Sequence, residues 1–171
     1  MAARRSSDTD KKGPKSPESR KNAVKSNLKS AKKDSVLVVC AHSDDQIFGV
    51  GGTLAKYAQE GRRIIIVILS YGEKSHPWLK KKVTVKMRVK ESHEAAGIIG
   101  ADRTIFFGMR EGNFSKDIVE LDMHEKMRKL IRKYTPSRIF THSSDDPLPD
   151  HTSTNRFVLE LCDEINYKGD V

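Results

Sequence analysis

Two short polar stretches hold the residue types that bind metals and move protons. The first, "HSDDQ" at 42–46, supplies His42, Asp44 and Asp45. The second, "HSSDDPLPDH" at 142–151, supplies His142, Asp145, Asp146, Asp150 and His151. Two histidines and one carboxylate with an open fourth position make a common catalytic zinc site. The same donors suit non-haem Fe2+, and they argue against a site built for magnesium alone. The adjacent aspartates matter because neighbouring side chains on a turn point in different directions. One carboxylate can bind the cation while the other faces the open position. A metal-bound water has its pKa brought down towards ~7, and a carboxylate beside it can accept its proton as it attacks a carbonyl. That is the chemistry of a metal-dependent hydrolase acting on an amide or ester.

These residues need elements to bring them together. "SVLVVCA" (35–41), "RRIIIVILS" (62–70), "RTIFFG" (103–108) and "SRIFTHS" (137–143) read as four strands, the first two apolar enough to be buried on both faces. Helical spacing marks 46–60 (Ile47, Val50, Leu54, Ala58) and 80–99 (Val85, Val89, Ala96, Ile99), with Gly61 and Gly100 as stops. A third helix is marked by Met123, Met127, Leu130, Ile131 and Tyr134 before Pro136, and a fourth by Phe157, Val158, Leu161, Cys162 and Ile165. Strand–helix alternation implies an α/β fold, a doubly wound parallel sheet with helices on both faces. Right-handed crossovers make the first and fourth strands neighbours where the winding reverses, and ligands bind off their carboxyl ends. Taken alone, each polar stretch also reads as a helix cap. Their placement after strands one and four favours a shared site. The glycines of "GVGG" do not make a dinucleotide loop, because the sixth position of the fingerprint is Leu54.

Composition divides the chain. Residues 1–34 hold 11 Lys/Arg and 4 Asp/Glu, which is +7 of the whole-chain +9, and no Phe, Tyr, Trp or Ile. Such a segment cannot bury enough apolar surface to offset its ordering entropy, so 1–34 is expected to be a disordered basic tail and 35–171 the domain. The tail could contact nucleic acid or another anionic surface. No apolar run approaches the ~20 residues of a membrane span, and nothing reads as a secretory or transit leader. Cys40 and Cys162 are too few for a disulfide framework and lie in apolar patterns. Buried thiols and a cytoplasmic, reducing setting are expected.

The stretch "VLVVCAHSDDQIFGVGGTLAKYAQEG" resembles the opening of the PIG-L/LmbE-like family of zinc-dependent N-deacetylases, whose usual motif reads AHPDDE. The likeness continues through "RVKESHEAAGIIGADRTIFFGMREG" (88–112) and ends in "THSSDDPLPDH" (141–151), covering roughly 35–165. The resemblance implies a Rossmann-like fold and removal of acetyl groups from N-acetylglucosamine-type conjugates, so the expected partner is a small-molecule N-acetylated amino sugar. Carried over by position, it implies His42, Asp45 and His151 as zinc ligands and Asp44 as the general base. Arg88 matches a family arginine near the substrate pocket.

Two departures stand out. The motif's final Glu is Gln46, which neutralises a group beside the ligands. Leu148 stands where the family pattern has the first His of His-x-Asp-His, a group thought to stabilise the oxyanion; losing one such donor costs ~10²–10³ in rate. His142 is the candidate to compensate from the same loop. Glu111, after strand three, is a candidate to hydrogen-bond a sugar hydroxyl. The chain stops soon after its fourth helix, which implies a shortened form or a fragment. These departures keep open a weakly active or non-catalytic relative that works as a metal- and sugar-binding module. Trp78 reads as a core or edge residue, or as a ring that stacks on a sugar at the pocket mouth. The basic run from Lys80 to Lys90 reads as a solvated helix face, or as cations that attract a phosphate-bearing substrate.

Overall fold

Continuous β-branched runs have no polar face to show to water, so they are stable only between two apolar layers. The computed structural model, which describes residues 34–171, places them there. Strands β1 (Ser35–Cys40), β2 (Arg63–Ser70), β3 (Arg103–Met109) and β4 (Arg138–Phe140) form one sheet in the order β3-β2-β1-β4. All pairings are parallel, with Val36 opposite Ile64 on one side and Arg138 on the other. The winding reverses at β1, whose neighbours are β2 and β4, as expected. Helices are α1 (Asp45–Phe48), α2 (Gly51–Gln59), α3 (Lys81–Ile99), α4 (Phe114–Glu120), α5 (Met123–Tyr134) and α6 (Pro149–Glu164).

Alternate strand residues feed two cores, as the two-residue period of a strand requires. Leu37, Val39, Ile65 and Val67 pack with Met127, Ile131, Phe157 and Leu161 of α5 and α6. Val36, Val38, Ile64 and Ile66 pack with Leu54 of α2 and Ala96 of α3. Each fully buried aliphatic side chain contributes about 1.5–3 kcal/mol of transfer free energy. The basic tail read over 1–34 lies, apart from Asp34, outside the described residues. Cys40 and Cys162 are free and buried, and burial pushes the Cys40 thiol well up. Among the described residues no helix is long and apolar enough to cross a membrane.

Four local expectations need correction. The helix read over 46–60 is two helices that break at Gly49–Val50. A side chain at Gly49 would put its Cβ 3.1 Å from the Asp45 carbonyl oxygen, so the close turn there depends on glycine. The strand read over 137–143 ends at Phe140; beyond it, contact with β1 passes to a side chain, since the Ala41 N–H donates to His142 Nε2 at 2.9 Å. The inner face of α3 is the predicted apolar stripe only in its second half: Ala96 is buried and Ile99 packs on the same core. Towards the other end Thr84 and Ser92 are buried in place of Val85 and Val89, because there the helix meets the polar rim of the sheet, where Ser92 Oγ donates to the Ser43 carbonyl at 2.7 Å. Finally, α4 was not marked, and α6 starts eight residues before its predicted apolar stripe. Pro149 opens α6, a position that needs no N–H and suits the fixed φ of proline.

Candidate active site

The carboxyl ends of β1 and β4 lie side by side, so the two polar stretches converge at the rim of the sheet. His42 leaves β1, Asp45 opens α1, and His151 sits in the first turn of α6. One ligand atom from each of these three residues lies within 4.8 Å of the others. Asp45 is anchored by the backbone: the His42 N–H donates to its Oδ2 at 2.8 Å.

The hydrogen bonds of the two imidazoles determine what they present to Asp45. His42 Nε2 is 3.0 Å from Asp150 Oδ2, and His151 Nδ1 is 2.9 Å from Asp146 Oδ2. A carboxylate accepts only, so each imidazole donates to it and turns its other nitrogen, a lone pair, inward. Those inward atoms, His42 Nδ1 and His151 Nε2, lie 3.7 and 3.4 Å from oxygens of Asp45. His151 Nε2 is buried and has no hydrogen-bond partner. Two lone pairs and a carboxylate facing one another across such gaps repel unless a cation lies between them. The donor set and this orphaned nitrogen therefore fit Zn2+ or Fe2+. Carboxylates on the outer nitrogens of metal-binding histidines are a usual orienting device.

A second group, His142, Asp146 and His151, also clusters. Its lone pairs do not converge, because His142 Nε2 is taken by the Ala41 N–H and His151 Nδ1 by Asp146. The His142 ring stacks on that of His151, centroids 3.9 Å apart. Burial alone pushes the Asp45 carboxyl up. The neighbouring His142 and the His42 N–H outweigh it and hold the group below its ordinary value. Since His142 Nε2 accepts from Ala41, the His42 N–H is the firmer of the two bonds. Asp146 is also held low, chiefly by the Leu148 N–H at 2.9 Å and then by His151.

A cavity of about 790 Å³ opens over this group. Its lining includes His42, Asp44, Asp45 and His151, with Arg88 and Glu111 on the walls. Arg88 Nη2 holds Asp44 Oδ2 at 2.9 Å. Gly72 lies beside this guanidinium, and its φ of +68° is a backbone conformation that favours glycine. Glu111 Oε2 accepts the Lys74 N–H at 2.8 Å. Leu148, 51% exposed, and Phe48, 87% exposed, give the cavity an apolar lip, while Lys74, Lys116 and Arg88 are its cations. His142 is not among the lining residues. It lies behind His151 and pins the end of β1, so the compensating role expected of it at the substrate is not where the structure puts it. Trp78 is 77% exposed and does not line the cavity, so it is neither a core residue nor a stacking platform within it. Gln46 is fully buried with both amide atoms unpartnered.

The orienting carboxylates were the part that sequence reasoning missed. Asp146 and Asp150 were visible as acids beside His151, but the Asp150–His42 contact spans 108 positions and leaves no mark in local spacing. Lys74, Lys116 and Phe48 carry no motif at all.

Comparison with known proteins agrees with this geometry. Residues 37–162 match the model of the family described as PIG-L, GlcNAc-PI de-N-acetylase. A 4-oxalmesaconate hydratase from Pseudomonas putida is 33% identical over 120 residues, covering 66% of this chain and 45% of that protein. A mycothiol S-conjugate amidase from Streptomyces coelicolor is 28% identical, covering 72% of this chain and 50% of that protein. The chain thus spans about half the length of these curated relatives. The solved N,N'-diacetylchitobiose deacetylase from Pyrococcus horikoshii superposes with a TM-score of 0.67 over 89% of this chain and 60% of that one; at 22% identity this likeness shows the fold. With its matched segment running from within β1 into α6 and taking in both polar stretches, the chain belongs to the PIG-L, GlcNAc-PI de-N-acetylase family.

Proposed function

We propose that the chain is a metal-dependent hydrolase that removes the acetyl group from an N-acetylated amino sugar. One observation carries the reading: two imidazoles, each fixed by its own carboxylate, turn lone pairs onto Asp45 at the floor of a cavity that also holds a separate carboxylate, Asp44. His42, Asp45 and His151 would hold Zn2+, with Fe2+ as the other fitting ion. The bound ion supplies Lewis acidity at the substrate carbonyl and acidifies water.

The remaining chemistry belongs to the chain. Asp44 takes a proton from the attacking water and returns it to the departing amine, so the C–N bond breaks to give acetate and a free amine. Arg88 fixes the direction of the Asp44 carboxylate through its 2.9 Å contact. Glu111 spends one oxygen on the Lys74 N–H, which leaves the other for a sugar hydroxyl. Family membership and the amidase relative support the amide substrate.

A second reading rests on the hydratase relative and on the cations Lys74, Lys116 and Arg88 in the lining, which would suit a polycarboxylate. Acetate release from N-acetylglucosamine conjugates, measured with added Zn2+, separates the two. The first reading expects turnover that falls at least ~10²-fold in Asp44→Asn while metal binding is kept. Metal binding without acetate release, together with loss of ultraviolet absorbance from an unsaturated polycarboxylate, would favour a hydratase. Metal binding with neither activity would leave a binding module.

A further inference from the structure

Residues 74–90 include Lys74, Lys80, Lys81, Lys82, Lys86, Arg88 and Lys90 and contain no Asp or Glu. Three of these cations are engaged: Lys81 with Glu73, Arg88 with Asp44, and Lys90 with Glu94. Among the described residues, Lys74, Lys80, Lys82 and Lys86 have no ion-pair partner. Large apolar side chains lie exposed among them. Besides Trp78, Leu79 is 37% and Val83 50% exposed. The Leu79 N–H donates to the His76 carbonyl at 3.0 Å, closing a tight turn that contains Pro77 and holds Trp78 at its tip. In the first turns of α3, Lys82 and Lys86 are four apart and share a face. The segment thus presents an indole and two aliphatic side chains ringed by free ammonium groups.

We infer that this patch, Trp78 to Lys86, docks the protein on an anionic lipid bilayer. An indole settles at the headgroup level of a membrane, where its apolar body and polar N–H are both satisfied. Lysine stems can lie along the same apolar surface while their ammonium groups reach lipid phosphates and carboxylates. A single-stranded nucleic acid would also attract the lysines and stack on the indole. It would leave Leu79 and Val83 without a use, since neither has a stacking face. Lys74 and Ser75 head the same loop and line the cavity, so docking sets the bilayer beside the cavity mouth. The inference does not depend on the reaction carried out there.

Trp78 is the single tryptophan of the chain, so its fluorescence reports on this patch alone. The full-length protein is mixed with phosphatidylcholine vesicles with and without phosphatidylserine, and with a single-stranded oligonucleotide. The expected result is a blue-shifted emission, quenched by brominated acyl chains, only with the anionic vesicles. Lys80→Gln/Lys82→Gln/Lys86→Gln should weaken partitioning on the order of 10²-fold, since each lysine near an anionic surface is worth roughly fivefold. Leu79→Ser/Val83→Ser, also at exposed positions, should reduce the blue shift. Co-sedimentation with vesicles and unchanged Trp78 emission would overturn the inference, because residues 1–34 alone would then account for binding. A spectral response to the oligonucleotide and not to vesicles would overturn it in favour of nucleic acid.

Discussion

Replacing Asp146 by Asn keeps the shape of the side chain and reverses one hydrogen-bond polarity. Asp146 makes two bonds: Oδ1 accepts the Leu148 N–H at 2.9 Å, and Oδ2 accepts from His151 Nδ1 at 2.9 Å. In Asp146→Asn the amide oxygen satisfies Leu148, so the start of α6 keeps its anchor. The amide NH2 then faces His151 Nδ1, which must accept. The proton moves to Nε2, where it points at Asp45 and blocks the lone pair that a cation requires. Losing such an orienting partner costs about 10–100-fold in metal affinity, or about 1.4–2.7 kcal/mol, and the forced change of tautomer places this variant at the upper end. Competition for Zn2+ against a fluorescent chelator measures it directly. The control is Asp145→Asn, an exposed neighbour whose carboxylate meets only Ser144 and which should leave affinity unchanged. A denaturant melt should show little change for either variant. Unaltered Zn2+ affinity in Asp146→Asn, or equal losses in both variants, would refute the assignment of His151 Nε2 as the inward ligand atom.

Two further outcomes follow from the same structure. Leu148→His restores a donor at the cavity lip without touching the backbone N–H that Asp146 holds; if the missing histidine limits the rate, acetate release should rise by about 10²-fold, and an unchanged rate would place oxyanion stabilisation elsewhere. Asp117 is solvent-inaccessible and is held below its ordinary value of 3.8, first by the Arg110 guanidinium and also by Asn113 Nδ2 at 2.8 Å. A depressed carboxyl stabilises the fold above its unfolded pKa, and that contribution is lost as the pH falls through the lower folded value. Asp117→Asn should therefore unfold at lower denaturant than the parent at neutral pH, with the gap narrowing below pH 3.8; a gap independent of pH would refute the ionic origin.

Buried strands and the place of the winding reversal were legible because they rest on local pattern. A run such as "RIIIVILS" has no exposed face to offer, and strand–helix alternation leaves few right-handed ways to wind a sheet. From these it followed that whatever succeeds β1 and β4 must meet at one rim, and His42, Asp45 and His151 do meet there. The polar part of the inner face of α3 was not legible. Thr84 and Ser92 look like solvent residues until the helix is laid against the rim, where the Ser43 carbonyl requires a donor.

The amino-acid order by itself determined which side chains could carry the chemistry and on which elements they would ride, since both follow from residue type and short-range period. Only the tertiary structure decided which nitrogen of each histidine faces inward. That choice depends on Asp150 reaching back to His42 across the sheet and on Asp146 curling under His151, and a hydrogen bond between distant segments has no counterpart in sequence spacing. The same holds for His142. Its type suggested the substrate, and the packing of β4 against β1 turned its ring to the Ala41 N–H, because a buried backbone donor without a partner costs more than an idle imidazole.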